Sequence, residues 1–219
     1  MSLQPTAQPG QLCIWTDTDP ESDADFNRWY DREHMQERVG IRGFRHARRF
    51  VANDGRARRY LALYVTESLD VFRSDAYCQA FAQQTEWSLR NFARMSDTQR
   101  RVGELAFECG EGEGAHVALF VAAPQALAAA GWQSAASDGA QQPGVHAVRA
   151  FRTEGALSAP LATGGGAPRA VDEDVIVFVE GSSNAAARAV AETLAEAAGV
   201  ERGGVRSFEM LWRLEARRT

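Results

Sequence analysis

The two halves of this 219-residue chain carry the same order of elements, and that repetition limits the possible folds more than any single motif does. In the first half, Leu12-Cys13-Ile14-Trp15 reads as a strand. A helix follows from Asp25 to about Val39, with Ser22 and Asp25 offering a capping box. Gly43 to Val51 and Tyr60 to Val65 read as strands joined through an Asn53-Asp54-Gly55 turn. A second helix begins near Ser68 and carries Tyr77 and Phe81. After a segment containing Trp87 and Phe92, Val102 to Glu108 forms the last strand. The second half repeats the series: strand Val117–Phe120, helix Gln125–Ala136, strands Gly144–Phe151 and Val175–Glu180, helix Asn184–Ala198, and strand Phe208–Leu214. Within the paired strands, Gly43, Arg48 and Phe50 fall in register with Gly144, Arg149 and Phe151.

A β-α-β-β-α-β order makes a four-stranded sheet with helices on one face only. The other face stays apolar and needs a cover, and two such sheets in one chain can cover each other. The expected class is therefore α+β: two tandem ferredoxin-like repeats that close an eight-stranded barrel within one chain, either as a monomeric pseudo-dimer or as a homodimer of such chains. Residues 1–10 are expected to be disordered, 11–109 to form the first repeat, 110–114 an acidic linker, and 115–216 the second repeat. Within the second repeat, 153–172 is rich in Gly, Ala and Pro and is expected to be a flexible loop.

Composition removes several classes of function. The formal charge of −5 argues against a nucleic-acid partner. All 24 basic residues are Arg, so an arginine is less diagnostic here than elsewhere. No apolar run is long enough to span a membrane, and the polar N-terminus lacks a secretory pattern, which points to the cytoplasm. Cys13, Cys78 and Cys109 are odd in number and far apart, so a disulfide framework is not expected. His34 and His46 are too few to specify a metal site. No phosphate loop, dinucleotide fingerprint or nucleophile elbow is present, so no cofactor or metal is expected.

The first helix carries the residues best suited to chemistry. At a hundred degrees per residue, Trp29, Tyr30, Glu33 and Glu37 share a face, with His34 at its edge. His34 would act as general acid or base, with Tyr30 as donor and Glu33 or Asp31 as the orienting carboxylate. On the next strand, alternation puts Phe44, His46, Arg48 and Phe50 on one face and Arg45, Ala47, Arg49 and Val51 on the other. Arg48, matched by Arg149, suits an ion pair inside the barrel. Arg49 is matched by Ala150 and is the better anion ligand. Trp29, Asp31, Arg49 and Trp87 complete the candidate ligand contacts, and Trp87 would either close a lid or pack the segment around it. The counterpart helix, Gln125–Ala136, is mostly Ala with Trp132, so the second half reads as structural.

Phe26-Asn-Arg-Trp29-Tyr30-Asp31-Arg-Glu33-His34-Met35 and Gly43-Phe44-Arg45-His46-Ala47-Arg48-Arg49-Phe50 resemble the Trp-Tyr-x-x-Glu-His and Gly-Phe-x-x-x-Arg-Arg pattern of EthD-like proteins, in the dimeric α+β barrel superfamily. The resemblance implies a small-molecule protein acting on a compact apolar or aromatic compound. Its chemistry would be cofactor-independent isomerisation or oxygenation, or else it would be a non-catalytic accessory of a degradation pathway. The fold alone does not choose among these.

Overall fold

The computed structural model describes residues 7–159 and 173–217. Eight strands form a closed barrel: β1 (Gly10–Thr18), β2 (Phe44–Ala52), β3 (Tyr60–Thr66), β4 (Met95–Gly110), β5 (His116–Ala122), β6 (Val145–Thr153), β7 (Val175–Gly181) and β8 (Arg206–Glu215). Around the barrel they run β1-β3-β2-β8-β5-β7-β6-β4, and every neighbouring pair is antiparallel. Each half contributes four adjacent strands in the order fourth, first, third, second, and the seams are β2–β8 and β4–β6. Closure leaves no bare sheet face. Trp15, Phe50, Leu63, Leu119, Phe151, Phe178 and Phe208 fill the interior, each contributing about 1.5–3 kcal/mol by burial.

Helices cover the outside. In the first half these are α1 (Asp23–Trp29), a π-helical turn (Tyr30–His34), α2 (Met35–Val39), α3 (Asp75–Ala82) and α4 (Glu86–Arg94). In the second half they are α5 (Trp132–Ala140), the short α6 (Gly155–Ser158) and α7 (Asn184–Ala197). Their starts follow local capping chemistry. Ser74 Oγ accepts from the Tyr77 amide to open α3, Thr85 from Ser88 to open α4, and Ser183 from Ala186 to open α7.

Several expectations need correction. Ser22 makes no side-chain cap. Asp19 accepts from the Glu21 amide instead, at the head of a 3-10 turn that leads into α1. The helix expected over Gln125–Ala136 is instead a 3-10 turn over Pro124–Ala128 that ends at the extended Ala129, and α5 starts after Gly131, whose φ of 81° suits glycine. Strand β4 begins at Met95, well before Val102, because its first part pairs with β1 and its last part with β6. β1 starts at Gly10, where a Cβ would lie 2.6 Å from Thr66 Oγ1, and residues 1–6 of the expected disordered N-terminus lie outside the described residues. Of the expected 153–172 loop, residues 155–158 form α6, where the Ser158 hydroxyl oxygen accepts from the Val102 amide at 2.8 Å; residues 160–172 lie outside the described residues. A bulge between Phe44 and His46 turns Phe44 to the helix side with Ala47 and Val51, away from Phe50. A bulge at the same place in β6, between Val145 and Ala147, follows Gly144 as the first follows Gly43, and both glycines have positive φ. Among the described residues no helix is long and apolar enough to cross a membrane.

Candidate functional site

The π-turn determines which residues of the first helix face the sheet. An uninterrupted helix that buries Phe26, Trp29 and Tyr30 would next present residues 33 and 37. A π-turn inserts one residue, so the buried face passes to His34 and Met35, then to Arg38 and Val39. His34 therefore lies within the buried face and not at its edge. Glu37 is exposed, and Arg38 takes the inward position.

His34 packs among aromatic rings. Its centroid is 4.2 Å from Trp29, 5.2 Å from Tyr30, 5.7 Å from Phe92 on α4 and 6.4 Å from Tyr64 on β3. Burial, reinforced by the charges of Arg38 and Arg49, pushes its pKa well below 6.5. The imidazole is therefore neutral at pH 7, and its Nδ1 is buried without a hydrogen-bond partner. Neither expected carboxylate reaches it. Glu33 Oε1 accepts from Thr85 at 2.6 Å and from Ser88 at 3.2 Å, and Ser88 Oγ accepts from the Trp29 indole at 3.0 Å, so Glu33 ties the helix to α4. Asp31 lies 3.6 Å from Arg49 and is half exposed.

Arg49 lies in the same cluster. Its guanidinium lies 4.1 Å from the Tyr30 ring centroid, 5.0 Å from Tyr60 and 5.3 Å from Phe26, and donates to Asn27 Oδ1 at 2.8 Å. Trp87 stands apart: it is half-buried, and its indole donates to Asp25 Oδ1 at 3.1 Å, while Arg94 pairs with the same carboxylate. These bonds pin α4 over α1.

Two residues of the cluster escaped the sequence reading. Arg38 is 2% exposed, and no carboxylate pairs with it among the described residues. One amino group donates to Gln84 Oε1 at 3.1 Å, whereas Nε and Nη1 have no partner. Tyr64 is buried beside Tyr30, its hydroxyl without a satisfactory partner. Burial and the neighbouring Tyr30 push its pKa well above 10, and burial likewise raises that of Tyr30 against the opposing pull of Arg49. The spacing of His34 and Arg38, four residues apart on one helix, was the available signal for Arg38. Nothing in the sequence marked Tyr64.

Among the described residues, a broad groove and a smaller cavity stand out, and neither is lined by Tyr30 or His34. The groove is bordered by the end of α2, the start of β2 and the end of β8. The cavity, of about 210 Å³, sits in one mouth of the barrel. Among the described residues no group of three or more His, Cys, Asp or Glu side chains could hold a metal ion.

No protein-family model matches the chain, and neither does any curated protein. Solved structures do match over nearly its whole length. An anthrone oxidase-like protein shares 12% identity, covering 98% of this chain and 95% of its own, with a TM-score of 0.65. A protein from Lactobacillus acidophilus, provisionally described as a monooxygenase, shares 8% identity over 95% of this chain and 97% of its own, with a TM-score of 0.56. A third, provisionally described as a chlorite dismutase, shares 11% over 94% and 96%, with a TM-score of 0.54. The closed eight-stranded barrel of this chain has the fold of these neighbours.

Proposed function

We propose that the chain is an EthD-like small-molecule protein built from two tandem ferredoxin-like repeats, with its ligand site between the first helix and the sheet of the N-terminal half. The recurring strand order and the matching bulges after Gly43 and Gly144 support the duplication. One observation carries the functional reading: Arg38 is buried without a carboxylate, and its idle donors belong to the same cluster as the unpartnered His34 Nδ1 and Tyr64 hydroxyl. An uncompensated buried guanidinium is costly, and a ligand bearing an acidic oxygen would offset that cost.

Mechanistically, neutral His34 accepts a proton from a carbon or oxygen acid, and Arg38 and Arg49 hold the resulting enolate or phenolate. Proton removal of this kind is common to isomerisation and to cofactor-independent oxygenation. The aromatic walls of Trp29, Tyr30 and Phe92 suit a compact, partly apolar compound. Because α4 covers His34, entry requires α4 to move, and Trp87, Asp25 and Arg94 form the latch. A second reading, binding without turnover, draws on the free Nδ1: among the described residues no carboxylate fixes the tautomer of His34.

Thermal-shift screening of phenols, lactones and anthrones tests the site, followed by product analysis of the compounds that bind. Ligands should stabilise the wild type and not Arg38→Met. If every compound that binds the wild type binds this variant equally well, the site lies elsewhere.

A further inference from the structure

The cavity in the barrel mouth is separate from the His34 cluster and is built by both halves together. Val65, Leu105 and Phe151 form its apolar side, and Gln11, Arg45, His46, Arg48, Glu113 and Arg149 are among its polar lining. Behind it sits Glu180, 1% exposed. Arg48 donates to both its oxygens, at 2.5 and 3.1 Å, and Arg149 to Oε1 at 2.9 Å. Burial alone would raise the Glu180 pKa, but the two guanidiniums hold it below the ordinary value.

The strand registers show an imbalance here. His46 on β2 pairs with Val65 on β3, and Ala147 at the equivalent place on β6 pairs with Glu180 on β7. Arg48 and Arg149 occupy matching positions, so two arginines share one carboxylate, and Val65 stands where a second would be. Every acidic group around the cavity is already engaged: Glu180 as described, Glu108 by Arg149, and Glu113 by Arg213, with Arg48 also 3.6 Å from it. The unspent groups are mainly donors. Arg48 Nε is buried and unpartnered, and Arg45 makes no ion pair or side-chain hydrogen bond among the described residues. One acceptor is also idle, the Oε1 of Gln11, a residue only 3% exposed.

We propose that the barrel mouth is a second ligand site, which takes a small ring-sized carboxylate with a hydroxyl substituent. The carboxylate occupies the space beside Val65, between Arg45 and Arg48, in place of the missing second glutamate. The ring lies on Val65, Leu105 and Phe151, and the hydroxyl donates to Gln11. A volume near 210 Å³ equals the liquid share of about seven waters, enough for a single substituted ring.

Isothermal titration with 4-hydroxybenzoate tests this, using 4-hydroxybenzamide as the uncharged analogue. The acid should bind saturably at one site, and the amide should bind about tenfold or more weakly, the loss expected for one charged contact. Arg45→Gln, at an exposed position, should weaken binding by about fivefold or more without changing the melting temperature. Val65→Glu supplies the missing carboxylate within the chain and should abolish binding in a folded protein. Arg38→Met should leave the affinity unchanged, which separates this site from the helix-covered one. No saturation up to about 10 mM, an amide equal to the acid, or undiminished binding by Arg45→Gln or by Val65→Glu overturns the proposal. Loss of binding in Arg38→Met alone does so too, by assigning the ligand to the His34 cluster.

Discussion

Replacing Arg38 by Met should make the ligand-free protein more stable while removing its ligand response. A purely structural arginine would behave in the opposite way. The guanidinium is 2% exposed and has one neutral hydrogen-bond partner, Gln84, and one ring, Phe81, at 5.2 Å. Burial of an ion costs several kcal/mol after relaxation. The Gln84 bond and the Phe81 contact return about 2–4 kcal/mol together. Methionine has a comparable apolar stem and fills the space without a charge, so the net gain is about 1–2 kcal/mol. For a domain of this size that corresponds to a rise of about 2–8 °C in melting temperature. Urea unfolding monitored by tryptophan fluorescence measures the difference, provided the slope with denaturant is unchanged. A loss of stability beyond about 1 kcal/mol would show that Arg38 is satisfied in the ligand-free protein, and the anion-site reasoning would fail with it.

Glu180→Gln should cost about 3–5 kcal/mol, because it removes both hydrogen-bonded carboxylate oxygens from buried Arg48 and leaves only Glu113, 3.6 Å away; a cost under about 1 kcal/mol in urea unfolding would contradict the pairing. Acid should act through the histidines before the carboxylates. Burial and the charges of Arg213 and Arg48 push the folded-state His46 pKa from 6.5 to about 4, against the pull of Glu215, Glu180 and the Glu113 carboxylate 3.1 Å away, so the unfolded chain binds the proton first. Stability is complete above pH 6.5 and falls by roughly 3 kcal/mol between there and pH 4 from His46 alone, with His34 acting in the same direction; His46→Gln should flatten that slope. Tyr30→Phe should reduce ligand response or turnover with little change in melting temperature, as followed by the same thermal shift. Burial drives the Cys13 thiol up to about 12, so a maleimide probe should label exposed Cys78 in the native state and leave Cys13 unmodified until unfolding.

The barrel was legible because its cause is a balance of surfaces: a sheet covered by helices on one face needs a second sheet on the other. The pairing of Arg48 inside the barrel was readable from its match with Arg149, and both meet at Glu180. The helix face was read one residue out of phase after Tyr30. Periodicity assumes 3.6 residues per turn, and a π-turn gives no compositional signal in Tyr-Asp-Arg-Glu-His. That single slip moved His34 from the edge to the interior, Glu33 to α4 and Arg38 into the cluster. It also alters the expected effect of His34→Ala. For a partly exposed histidine the fold would be unaffected, but a buried ring packed 4.2 Å from Trp29 leaves a hole, so Tyr30→Phe is the cleaner probe.

The outer layers of the two halves show why the polar cluster can persist in one of them. In the second half, Trp132, Ala136, Ala187, Ala191 and Leu194 cluster with Ala118, Phe120, Val148 and Val177, an apolar layer in which the Trp132 indole Nε1 is buried without a partner. Small side chains bring α5 and α7 close together, to the point that a Cβ on Gly139 would lie 2.6 Å from Val190. Such a layer is mostly apolar, so its burial stabilises the fold and its one unpaired indole costs less than an unpaired buried charge. In the first half, the corresponding layer holds His34, Arg38, Tyr64 and Asn91 with polar atoms left unpartnered, a deficit that an isolated half of this size would struggle to carry. Because the barrel seams join the halves into one closed sheet, the stable layer offsets the strained one. A closed barrel can therefore keep a destabilising arrangement of buried charge on one side, as long as the layer on the other side is predominantly apolar core.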